Sequence, residues 1–285
     1  DEMSSRGLGD VYKRQGAAGF IGSHIVEFLL NNGAKHVRVL DNMSNGRQEN
    51  IDIFKEFDNY EFIEGDITDF DTCVNACKGM DYVCHQAAVG SVPRSIKNPM
   101  ATTHSNVDGF VNMAFAAKES GIKRFVYASS SSVYGDEKTL PKLEDKVGAP
   151  MSPYAISKKT NELYASVFAE VYGMEFVGLR YFNVFGPRQD PYGQYAAVIP
   201  LFIKAIMNKE TVFIDGDGEQ TRDFTYVDNA VQANIKALTT DNPEALNQVY
   251  NVAVGENFSV NYMFNFIQKN LGIPNKPEHR APRAG

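Results

Sequence analysis

The sequence predicts an α/β fold, a doubly wound parallel sheet followed by a smaller C-terminal α/β lobe. Three observations predict it. Short apolar runs of strand length alternate with amphipathic runs of helix length from residue 20 to about residue 182. A loop with glycines three apart stands directly before the first of those helices. Beyond residue 183 the alternation loosens into clustered turn residues, short strands and two or three further helices. Strands alternating with helices of about 10–15 residues form βαβ units, which set neighbouring strands parallel. A chain of 285 residues corresponds to about two lobes or one large α/β domain.

Taken in order, residues 20–30 place Ile21, Ile25, Phe28 and Leu29 on one helical face. His36 to Leu40 is a short buried-strand run that ends at Asp41. Glu61 to Glu64 ends at the Gly65-Asp66 break, and Asp81 to His85 runs into Ala87-Ala88. A long helical pattern covers Ala101 to Glu119 and stops at Gly121. Phe125 to Ala128 is a strand that feeds the run Ser129-Ser130-Ser131-Ser132. Ser152-Pro153 opens the next helix, with serine as cap and proline in the first turn. Phe176 to Arg180 closes the series. The predicted division is therefore residues 1–182 and 183–285, with turns crowding the second part at Gly186-Pro187, Asp190-Pro191 and Asp215-Gly216-Asp217-Gly218.

Residues 1–15 do not fit this pattern. They are too polar for a signal peptide, which needs an apolar stretch of about 7–15 residues. The place of a buried first strand holds Val11-Tyr12-Lys13-Arg14-Gln15. Lysine and arginine at the centre of a parallel sheet are costly. The expectation is a non-native segment fused upstream of Gly16, with the first strand lost.

Composition narrows the function classes. The net charge is −7 and there is no basic stripe, which argues against nucleic acid as a partner. Three cysteines do not make a disulfide scaffold. Cys73 and Cys77, with Cys84-His85 nearby, are too poorly spaced for zinc, so no metal site is expected. No apolar run reaches the roughly 18 residues of a membrane span, and the expected location is cytoplasmic.

The glycine loop is Gly16-Ala17-Ala18-Gly19-Phe20-Ile21-Gly22. Glycines let the backbone turn tightly and approach a pyrophosphate, which then sits at the positive end of the following helix. An acidic residue is needed about 20 positions on to bind the adenosine ribose. Asp41 lies 19 residues after Gly22. Its carboxylate would repel a 2′-phosphate, favouring NAD, while nearby Arg47 keeps NADP in view. This is a Rossmann-like fingerprint.

Tyr-x-x-x-Lys occurs twice, as Tyr134/Lys138 and Tyr154/Lys158. The first pair brackets Gly135-Asp136-Glu137 and lies on a turn. The second follows Ser152-Pro153, so both residues share one helix face a turn apart. Tyrosine has an ordinary pKa near 10, so acting as a base near pH 7 requires about 4 kcal/mol of stabilisation of the phenolate. A nearby lysine charge and a cationic nicotinamide in a dry site supply it. The serine run lies beyond a buried strand, at the end where parallel sheets bind ligands.

GAAGFIGSH, Asp41, YASSSSVYG, SPYAISK, LRYFNVFGPRQDP and TRDFTYVDN occur in this order. From about residue 16 to its end the chain resembles the extended short-chain dehydrogenases/reductases, specifically the nucleotide-sugar epimerases. HQAAVGSVPRS and FGPRQDPYGQYAAVIP are most similar to UDP-N-acetylglucosamine (or N-acetylgalactosamine) 4-epimerases, then to UDP-glucuronate 4-epimerases; UDP-glucose is a further alternative. The resemblance implies catalysis by Ser130, Tyr154 and Lys158, with Tyr154 removing the 4-hydroxyl proton and Lys158 bonding the nicotinamide ribose. It implies an NAD site of Gly16, Gly19, Phe20, Ile21, Gly22, Asp41, Asn42, Asp66, Ile67, Gln86, Ala87, Ala88, Tyr154, Lys158 and Tyr181. It implies a UDP-sugar site of Ser91, Ser130, Ser131, Asn183, Gln189, Val198, Arg222 and Arg283, making residues 183–285 a substrate-binding lobe. A homodimer through a four-helix bundle is implied by the apolar faces of Ala101–Glu119 and Tyr154–Val171. The resemblance also predicts a sugar-gating residue and a final helix past Gly285, so a C-terminally truncated chain is expected. The related 4,6-dehydratases place Thr-Asp-Glu where this chain has Ser130-Ser131-Ser132, which offers no acid for water elimination. A non-catalytic dinucleotide sensor is the alternative from another class, and the Tyr154–Lys158 pair argues against it.

Overall fold

The computed structural model describes residues 11–193 and 196–282. Strand- and helix-forming runs alternate through the first part as β1 (Val11–Gln15), α1 (Phe20–Asn31), β2 (His36–Asp41), α2 (Glu49–Asp52), β3 (Tyr60–Glu64), α3 (Phe70–Cys77), β4 (Tyr82–His85), α4 (Val92–Lys97), α5 (Pro99–Thr103), α6 (Gly109–Glu119), β5 (Arg124–Ser130), α7 (Pro153–Tyr172) and β6 (Glu175–Tyr181). The second part adds β7 (Val184–Phe185), α8 (Val198–Met207), β8 (Phe213–Asp215), β9 (Thr221–Arg222), β10 (Thr225–Tyr226), α9 (Val227–Thr239), β11 (Gln248–Val252), β12 (Phe258–Ser259), α10 (Val260–Leu271) and β13 (Glu278–Arg280).

Seven strands form one parallel sheet in the order β3-β2-β1-β4-β5-β6-β11. The α/β prediction holds. Helices cover both faces. Ile25 and Leu29 of α1 share one apolar core with Val37, Val39, Val126 and Val177 of the sheet. Cys73 of α3, Phe110 and Met113 of α6 and Phe168 of α7 share the other with Val83, Phe125 and Phe176. The strand order turns back between β1 and β4, which opens a crevice at their carboxyl ends, where doubly wound sheets bind ligands.

Three features differ from the sequence reading. The backbone of Val11–Gln15 is the central strand, in register with His36–Leu40 on one side and with Tyr82–His85 on the other. Ladder pairing uses main-chain groups that every residue here carries, so the expectation of a missing first strand is corrected. The boundary at residue 183 is crossed in both directions. Ala230, Val231 and Ile235 of α9 belong to the α1 core, and β11 is the seventh strand of the main sheet. The separate second core is smaller, built on Ile199, Phe202 and Ile206 of α8 with Phe264 and Ile267 of α10. The helix expected over 101–119 begins at Pro99 behind an Asn98 cap and contains a π-helical turn at His104–Asp108. That turn carries Asn106, whose amide grips Val89 by both main-chain groups, N–H at 2.7 Å and C=O at 3.2 Å. A wider turn of this kind re-aims a side chain inside a continuous helix.

Candidate active site

The crevice is a cleft of about 390 Å³ lined by all fifteen residues expected to hold the dinucleotide, Gly16 through Tyr181. Gly16 has φ +67°, and a Cβ there would lie 2.7 Å from the Ala87 backbone nitrogen. A Cβ on Gly22 would collide with the Gly16 carbonyl. Glycine is required at both positions because backbone approaches backbone. No side chain caps α1 at Gly19, and its first turn carries no acidic residue. Its leading N–H groups therefore face the cleft with a partial positive charge, which suits a pyrophosphate.

Asp41 ends β2 at the far side of this loop. Its carboxylate accepts from Ala18 N at 3.0 Å and Met43 N at 2.9 Å. Burial pushes its pKa up, and those two hydrogen bonds pull it partly back. Asn42 donates to Asp66 at 2.7 Å. Burial opposes the Asp66 charge, but bonds from Thr68 and Asn42 outweigh it and leave the carboxyl below its usual range. Arg47 pairs with Glu49 at 2.9 Å and lies 3.9 Å from Asp190. A guanidinium so engaged is a poor partner for a 2′-phosphate, which supports NAD over NADP.

The reactive side of the cleft is built where α7 crosses the end of β5. Ser152 caps α7, accepting from Ala155 N, and Pro153 sets its first turn. Three residues on one face of α7 then meet three consecutive residues of β5. Tyr154 stands beside Ser130, whose hydroxyl favours the charged form of the phenol. Lys158, 1% exposed, donates to the Ala128 carbonyl at 2.8 Å. Glu162 accepts from Ser129 Oγ at 2.7 Å. Burial pushes the Lys158 ammonium down to about 8. Burial also pushes the Tyr154 phenol up, and the Ser130 hydroxyl offsets part of this. That direction is opposite to the one expected of the Tyr–Lys pair, because desolvation of the phenol dominates. The other pair is separated. Tyr134 is buried, donating to Asn251 at 2.6 Å and accepting from Arg180 at 3.0 Å, while Lys138 is exposed.

A second cavity of about 1140 Å³ opens in the C-terminal part, lined by Asn183, Val198 and Arg222 among others. Asn183 donates to the Asp223 carbonyl at 2.8 Å, and Arg222 is exposed with Nη1 on Thr221 O. Ser91, Ser130, Ser131 and Gln189 line neither cavity. Ser91 instead caps α4 with φ +96°, and Gln189 donates to Val184 O at 3.2 Å. Arg283 lies outside the described residues.

Sequence reasoning missed several residues. Phe213, Lys204 and Arg280 line the second cavity, with the Arg280 guanidinium 4.8 Å from the Phe213 ring centre and 2.9 Å from Asp215. Glu162 forms a buried two-point pair with Arg180, at 2.8 and 2.9 Å. Its signal was available, since it lies one further turn past Lys158 on the same helix face. Among the described residues no cluster of three or more His, Cys, Asp or Glu side chains is placed to hold a metal. No helix among them is long and apolar enough to cross a membrane.

A doubly wound sheet with a glycine loop, an aspartate at the end of the second strand and a Tyr–Lys pair at the crevice defines an NAD-binding enzyme of the short-chain dehydrogenase/reductase type. The chain belongs to the NAD dependent epimerase/dehydratase family, whose model matches residues 15–253. A UDP-glucose 4-epimerase of Mycolicibacterium smegmatis is 38% identical over 272 residues, covering 95% of this chain and 85% of that protein. Among solved structures, the UDP-N-acetylglucosamine 4-epimerase from Methanobrevibacter ruminantium M1, in complex with UDP-N-acetylmuramic acid, is 41% identical with a TM-score of 0.91, over 97% of this chain and 87% of that one. The UDP-glucuronic acid 4-epimerase from Bacillus cereus, bound to UDP-glucuronic acid and NAD, is 31% identical with a TM-score of 0.89, over 95% and 86%.

Proposed function

We propose that the chain inverts C4 of a UDP-sugar, with the UDP-N-acetylglucosamine/UDP-N-acetylgalactosamine pair as substrate and product. The observation that carries this is that Tyr154 and Lys158, one helical turn apart, both line the dinucleotide cleft, with Lys158 docked on Ala128 at the end of β5.

NAD, when bound, supplies the acceptor and then the donor of the C4 hydride. Tyr154 takes the 4-hydroxyl proton as the carbonyl forms and returns it when the carbonyl is reduced. Burial alone sets its phenol the wrong way for this, so the positive charge that accompanies the oxidised cofactor and the Lys158 ammonium must favour the phenolate. Ser130 steadies the phenolic oxygen. Ser129 is held by Glu162, which leaves Ser130 and Ser131 for the sugar. Asn183, Val198 and Arg222 hold the UDP portion in the second cavity, with Arg222 suited to phosphate oxygens. Ser91, Gln189 and Arg283 rest on the family resemblance alone, since neither Ser91 nor Gln189 lines a cavity here. The serine run offers no general acid for dehydration.

The test is incubation of the chain with UDP-N-acetylglucosamine, UDP-glucose and UDP-glucuronate, each without added NADH, with NMR detection of the C4 epimer. Fastest conversion of the N-acetyl sugar is expected. Preference for one of the others would reassign the substrate, and no product from any would overturn the epimerase reading.

We also propose a homodimer through a four-helix bundle. On α7, Ile156, Leu163, Val167 and Val171 are each more than half exposed and form one apolar stripe, the surface a second copy would cover.

A further inference from the structure

Among the described residues two tyrosines line the dinucleotide cleft, Tyr154 and Tyr181. Only Tyr154 has a part in the chemistry proposed above, and the surroundings of Tyr181 differ. Its hydroxyl donates to Gln86 Oε1 at 3.0 Å and accepts from Asn234 Nδ2 at 2.7 Å. Gln86 Nε2 donates in turn to Asn234 Oδ1 at 3.0 Å. The three side chains close a ring of hydrogen bonds. They come from the end of β4, the end of β6 and the middle of α9, which are remote in sequence.

The direction of this ring is fixed from outside it. Asn234 Nδ2 also donates to the Ala230 carbonyl at 2.7 Å, which can only accept, so the amide cannot flip. Its Oδ1 must then accept, which it does from Gln86 and from Cys84 Sγ at 3.2 Å. Both Asn234 donors and both acceptor sites are used, on a residue with no exposed surface. Gln86 therefore presents its oxygen to Tyr181, and the phenol must give its proton there. No residue shorter, longer or of other polarity reproduces this set. Asp lacks the donors, and an aliphatic residue leaves a buried phenol and amide unsatisfied.

We propose that Asn234 is a positioning residue of the dinucleotide site: through the ring it locks Tyr181 and Gln86 as a rigid wall of the cleft and withholds the Tyr181 hydroxyl from proton exchange, so that Tyr154 works without a competing phenol. α9 starts at Val227, directly after Arg222 and the β10 strand. The segment lining the second cavity thus runs without a break into the helix that sets this wall. The inference rests on the placement of NAD in this cleft.

The experiment is a double-mutant cycle on dinucleotide retention, with Y181F, N234A and Y181F/N234A. Purified proteins are loaded with NAD, and loss is followed by exchange against labelled NAD well below the melting temperature. Each single variant is expected to release NAD about tenfold faster, as for one lost buried hydrogen-bond arrangement, and the double variant no faster than the singles. Absorbance of reduced nicotinamide on adding UDP-sugar should also rise in the variants, from turnovers that stop with the cofactor reduced. Effects that multiply in the double variant would overturn the ring as a unit. Y181F leaves the packing of α9 untouched, so parent-like retention in Y181F overturns the proposal even if N234A fails to fold. A parent chain that holds no NAD would instead overturn the reading of the cleft.

Discussion

At the scale of single residues, the site is organised by where burial meets charge. Lys158 is enclosed with its ammonium on one carbonyl and titrates at about 8, below its ordinary 10.5, because burial penalises the cation. Between those values the unfolded chain binds a proton that the folded chain does not, so this group's contribution to stability rises with pH across the window. Below pH 8 both states are protonated and the whole penalty stands, about 3 kcal/mol at most. K158M is therefore expected to raise the melting temperature at pH 7 and to lose turnover. Its advantage in urea unfolding should shrink steadily from pH 8 to pH 10, and a constant advantage would refute the assignment. Y154F removes the proposed proton carrier and keeps the ring in the cleft. It should lower the epimerisation rate by about a thousandfold while NAD, measured by acid extraction, stays bound at the parent level. The sequence made Tyr154 and Lys158 legible because they stand one helical turn apart after a capped start. Asn234 was not legible, since its partner Gln86 lies 148 positions away and nothing local marks an asparagine inside a helix as a hub.

At the scale of elements, the decisive contact is α7 on β5. Tyr154, Lys158 and Glu162 recur every four residues; Tyr154 stands beside Ser130, Lys158 docks onto Ala128 and Glu162 onto Ser129. The last of these rungs is anchored from behind by Arg180 on β6. Burial opposes the Glu162 charge, but the bonds from Arg180 and Ser129 outweigh it and hold the carboxyl below its usual value. The stability it brings is present above its unfolded pKa, near 4.5, and is lost as pH falls through the lower folded value. E162A leaves the Arg180 cation buried without its partner, which costs about 3–5 kcal/mol in urea unfolding at pH 7. Replacing both residues with apolar ones of similar volume should recover most of that loss, and if it does not, the pair is not the source. The glycine loop was fully legible, because close backbone approach leaves no alternative to glycine. The first strand was misread because main-chain pairing in the sheet's centre is blind to the side chains that made residues 11–15 look foreign.

At the scale of the whole molecule, the apolar stripe on α7 lies on the outer surface of the helix whose Tyr154 and Lys158 line the dinucleotide cleft. Assembly on that stripe would brace this helix from outside. L163E/V167E, at two exposed positions, is expected to halve the mass seen by light scattering and leave NAD content unchanged. A parent chain that runs as a monomer would remove the dimer. The lobes were only half legible. Local periodicity identified α9 and β11 as helix and strand, but membership of one core or another is decided by contacts across the chain, and no short-range pattern carries that information.

The return of α9 and β11 to the main sheet has a practical consequence. The C-terminal part leaves the sheet after β6, comes back through residues 227–252 and departs again. It is riveted to the platform rather than hung from it by a single tether. A single protease cut at the exposed Tyr192 should therefore yield two fragments on a denaturing gel that still migrate as one particle under native conditions. Among the described residues, the C-terminal part is joined to the main sheet through α9 and β11 as well as through the connection after β6.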